Sequence, residues 1–96
     1  MTELLQRFTG TWLNDPENPS VEWRIALVGD KLNVVGVDVD DGERYAVTEI
    51  SFAEETLRWR AEMPSTQYVT EHQLTLREDG NAEHRCTLSE TLMRRR

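Results

Sequence analysis

His72, His84 and Cys86 have the side chains best suited to metal or nucleophile chemistry, since two imidazoles and a thiolate can meet one ion when strand pairing gathers them. A turn over Glu78, Asp79 and Gly80 does gather them: it sets His72 opposite Cys86 and diagonal to His84. Metal centres, however, normally carry short local spacings such as a CxxC pair, which this chain lacks, and Leu57, Leu74 and Leu88 crowd the same positions. The expectation is hydrogen-bonded core histidines, with no metal and no cofactor. A second group, Asp38, Tyr68 and Glu90, should approach one rim beside Val21 and Met63. Two carboxylates and a phenol can do acid and base work if burial moves their pKa values apart. Strand ends commonly reach water, so solvated or ion-paired groups are the simpler reading, with a ligand-orienting role the alternative. No glycine-rich phosphate loop, nucleophile elbow or HExxH motif occurs, and the chain is not expected to be an enzyme.

The elements that must position these groups are read from periodicity. Leu4, Leu5 and Phe8 fall at helical spacing behind Thr2, which predicts a short N-terminal helix too small to stand alone. Asn14 to Ser20, with two prolines, two asparagines and an aspartate, is a loop. From Val21 onward, alternation broken by regular turn signals predicts consecutive antiparallel strands. A Gly29-Asp30 turn pairs Leu27 with Leu32, Ile25 with Val34 and Trp23 with Gly36. A bulged turn over Asp40, Asp41 and Gly42 faces Val34 with Thr48 and Leu32 with Ile50. A Glu54-Glu55 turn pairs Phe52 with Leu57 and Ile50 with Trp59. A Pro64-Ser65 turn pairs Ala61 with Tyr68 and Trp59 with Thr70. The last hairpin pairs Leu74 with His84 and Thr70 with Leu88. Six strands thus share one inner face, and Thr11 to Asn14 can add a seventh that reaches the edge left by the last.

Composition sets the outer bounds. Residues 1–96 read as a single domain, and 18 acidic against 11 basic residues give a net charge of -7, which repels nucleic acid and anionic lipid. Arg94, Arg95 and Arg96 read as a solvated tail. One cysteine excludes an internal disulfide, and no apolar run reaches signal-peptide or membrane-spanning length, so a cytoplasmic protein with no membrane partner is expected.

Phe8 to Trp12 read FTGTW and are followed by an antiparallel meander. This resembles the start of the calycins, the lipocalins and fatty-acid-binding proteins. The resemblance implies that Trp12 closes a barrel base, with Arg94 the nearest match to the basic residue that packs on it, and that the interior takes a small apolar ligand. The expected fold is all-β, an up-and-down meander curled into a small lipocalin-like barrel or half-barrel behind the helix. Calycin barrels have more strands on longer chains, and a barrel of few strands fills its interior with its own side chains.

Two functions follow. In the first, a small apolar molecule binds inside the barrel against Trp23, Asp38, Trp59, Tyr68, Thr70 and Glu90. In the alternative, the chain is a non-catalytic homodimeric module whose interface is the outer face of the third and fourth strands, Val35, Val37, Val39, Tyr45 and Val47.

Overall fold

A computed structural model describes residues 2–89. A five-residue helix, α1 (Thr2–Gln6), is followed by seven strands: β1 (Gly10–Leu13), β2 (Val21–Val28), β3 (Lys31–Asp38), β4 (Ala46–Ala53), β5 (Thr56–Glu62), β6 (Val69–Leu76) and β7 (Ala82–Ser89). They form two antiparallel sheets, ordered β1-β2-β3 and β4-β5-β6-β7.

The tight hairpins have the expected register. β2 and β3 pair Leu27 with Leu32, Ile25 with Val34 and Trp23 with Gly36. The β6-β7 ladder sets Leu74 against His84, His72 against Cys86 and Thr70 against Leu88. Gly80, at φ 90, closes the latter turn as a glycine bulge. At Gly36 the missing side chain matters: a Cβ there would overlap the rings of both Trp23 and Tyr45.

Three registers differ from expectation. Residues Pro64 to Gln67 form a four-residue loop, closed by Met63 N–H donating to Tyr68 carbonyl at 3.1 Å. Ala61 therefore pairs with Thr70 and Trp59 with His72, a slip of two that leaves every side chain on its expected face. The β3-β4 turn closes one residue differently: Tyr45 N–H donates to Gly36 carbonyl at 3.0 Å, and Val37 bridges Arg44. Tyr45 and Val47 consequently point inward and pack on the core, and Thr48 is exposed on the outer side. A bulge between Thr48 and Ser51, with Glu49 at φ 53, then inserts one residue opposite Trp59. The two parity changes cancel, so Ile50 and Phe52 return to the inner face.

Among the described residues the strands do not close into a barrel. Backbone pairing between β3 and the segment leading into β4 is confined to the turn, at the Val37 to Arg44 bridge and the Tyr45 to Gly36 and Asp38 to Glu43 hydrogen bonds, after which β3 and β4 diverge. Strand β1 pairs with β2, Trp12 opposite Trp23, instead of reaching β7. The architecture is an open meander of two sheets whose inner faces meet around Trp23, Ile25, Val34, Leu57, Trp59 and Leu74. Burial of such side chains contributes roughly 1.5–3 kcal/mol each, and this apolar contact holds the sheets together where backbone hydrogen bonds do not.

Helix α1 seals one end of this core. Leu5 is buried and Phe8 has no exposed surface, while the Trp12 indole N–H donates to the Phe8 carbonyl at 2.8 Å.

Candidate functional site

Where β3 and β4 part, a groove of about 1210 Å³ opens between the two sheets. Its apolar wall consists of Leu4 and Leu5 from α1, Leu32 from β3, Ile50 and Phe52 from β4, and Leu57 from β5. Each faces the groove for a local reason. Leu32 follows the Gly29-Asp30 turn on the inner phase of β3. Ile50 and Phe52 stand on the inner phase restored by the Glu49 bulge. Leu4 and Leu5 are brought over the gap by Phe8, whose ring meets Phe52 edge-on at 5.4 Å and 65°. The mouth is polar: Asp30 and Lys31 stand at the tip of one hairpin, Glu54 and Glu55 at the tip of another. Both glutamates hold positive φ, 54° and 60°, as a two-residue turn of this hand requires.

The residues expected to contact a ligand lie elsewhere. Trp23 and Trp59 are 7% and 2% exposed, and their rings lie 5.2 Å apart, so they fill the interior where a cavity was expected. Thr70 is half-buried and serves His72. Tyr68 is exposed in the loop that leads into β6. The Asp38 carboxylate accepts from the Asp40 N–H at 2.8 Å and so shapes its own turn. No hydrogen bond joins Asp38 to Tyr68 among the described residues, and Glu90 and Arg94 lie outside them. The groove arises from divergence of two strands, which no local alternation in the sequence reports.

The histidines form a chain. His72, 4% exposed, shares a hydrogen bond of 2.7 Å with the Thr70 hydroxyl through Nε2 and one of 2.8 Å with His84 Nε2 through Nδ1. His72 lies parallel to the Trp59 ring at 5.1 Å and 5°, and Trp23 crosses it at 4.6 Å. Burial and the neighbouring His84 push the His72 pKa down to about 4, and burial lowers that of His84 as well. Both ring nitrogens of His72 already have partners, and a neutral imidazole offers only one lone pair, so a metal ion would have to displace a hydrogen bond. Among the described residues no group of three His, Cys, Asp or Glu is placed to hold a metal. Cys86 is exposed, and partial desolvation by its neighbours raises its thiol pKa. A raised pKa keeps the thiol protonated and a poor nucleophile. Burial, then the charge of Asp38, raise the Tyr45 phenol likewise.

Searches of protein-family models, curated proteins and solved structures match nothing in this chain, so the likeness to calycins rests on Phe8 to Trp12 and the meander alone.

Proposed function

We propose that this protein binds a small, largely apolar molecule in the groove between β3 and β4. The observation that carries this reading is the groove itself, walled by leucine, isoleucine and phenylalanine side chains from both sheets and the helix. At about 1210 Å³ the groove is somewhat larger than the typical ligand cleft of about 300–1,000 Å³, but it shares the apolar lining with a few polar groups that such sites have. A neutral environment-sensitive dye, N-phenylnaphthylamine, should brighten on adding the protein. Leu4→Gln, at a half-buried wall position, should weaken that binding about fivefold, the loss of roughly 1 kcal/mol of apolar contact. Absence of dye binding, or an unchanged affinity in Leu4→Gln, would count against the groove.

A second reading, a homodimeric interaction module, is favoured by the outer face of the smaller sheet. Val35 and Val37 are only half-buried there and Val39 is 40% exposed. With Tyr45 and Val47 turned inward, the apolar area available to a partner is smaller than the sequence suggested. The ion pair of Arg24 with Glu22 at 2.9 Å also lies on that face, Glu22 standing between Leu13 and Val37 and Arg24 beside Val35. Ligand binding is therefore the preferred reading. In sedimentation at high concentration the dimer reading expects a dimer that Val37→Glu converts to monomer; a monomeric wild type would remove it.

A further inference from the structure

Resting on the groove reading, the charges at its mouth point to the chemistry of the occupant, and we infer that it is an amphiphile with a cationic head, not a fatty acid. Three carboxylates, Asp30, Glu54 and Glu55, and one ammonium, Lys31, line the opening. All four are exposed, and none of them takes part in an ion pair among the described residues. They sit on two hairpin tips that flank one opening, so a head group leaving the apolar wall passes between like charges supplied by both sheets. Lys31 alone opposes them, and the chain's net charge of -7 reinforces the sign.

An alkylammonium group placed there gains attraction from the carboxylates. An alkylcarboxylate meets repulsion from three groups and attraction from one. Exposed pairs are each worth well under a tenfold change in affinity, so the combined preference should be of order tenfold in low salt and should narrow as salt is added.

The test uses displacement of bound N-phenylnaphthylamine by three competitors sharing one chain length, decyltrimethylammonium, decanol and decanoate, at neutral pH, the two ionic ones below their micelle concentrations and decanol below its solubility limit. The ammonium should displace the dye at roughly tenfold lower concentration than decanoate, with decanol between them. In the variant Asp30→Asn, Glu54→Gln, Glu55→Gln, whose melting curve checks that it is folded, the spread should collapse with decanol unchanged. If all three competitors displace the dye equally, or decanoate is best, the cationic occupant is wrong while the groove remains a binding site. If the dye itself does not bind, the underlying reading fails and this inference with it.

Discussion

Replacing Phe8 by alanine should destabilise the protein by about 3–5 kcal/mol, the usual cost of truncating a fully buried phenylalanine. No part of Phe8 reaches solvent, and its ring lies against Phe52 on β4. A domain of this size has only about 5–15 kcal/mol of stability in total, so the loss should appear as a large drop in the urea midpoint. The consequence extends to the groove. A five-residue helix does not persist on its own propensity, so α1 stays folded because Leu5 and Phe8 are buried. Without the Phe8 ring, Leu4 and Leu5 should leave the groove wall and dye binding should fall with stability. A loss of less than about 1 kcal/mol would mean that the helix end is not anchored through this ring.

Legibility in the sequence followed the length of the turns. The β2-β3 and β6-β7 hairpins were readable to the residue, because a two-residue turn, or a bulge closed by Gly80, permits a single register in which the apolar residues share a face. The β3-β4 connection was not, because Asp38 to Tyr45 can close in either parity. The parity realised is set by Tyr45 packing on Trp23 across Gly36, a contact between residues far apart in the chain. The bulge at Glu49 carries no sequence cue either, since a glutamate at positive φ looks like any exposed strand residue. Those two features decide where β3 and β4 separate. They therefore decide the groove, which is why most of the inner face was legible while the placement of Tyr45 and Val47 and the groove were not. The aromatic pair Trp23 and Trp59 was placed correctly on the inner face; its role differs, because a meander with so few strands packs its own side chains at its centre.

Acid should destabilise the protein through His72 as pH falls below the ordinary histidine range. The folded chain holds this imidazole neutral down to about pH 4, whereas an unfolded histidine takes up its proton near 6.5. Between those values the unfolded state binds more protons than the folded one. The contribution of His72 is therefore complete above about pH 6.5 and is lost progressively as pH falls toward 4. The shift corresponds to about 3 kcal/mol at the lower end of the window. His84 adds to the loss in the same direction, because burial lowers its pKa too. Urea unfolding of the wild type at intervals across this range should show the midpoint falling steeply. His72→Gln keeps a partner within reach of the Thr70 hydroxyl and His84 but cannot titrate, so it should be less stable at neutral pH and show a flatter profile, its curve approaching that of the wild type toward pH 4. The His72 ring resonances in nuclear magnetic resonance should stay at their neutral positions well below 6, where those of an ordinary histidine have already moved. Parallel stability profiles for the two proteins, or a His72 resonance titrating near 6.5, would show that the ring stacked on Trp59 is not held neutral by its burial.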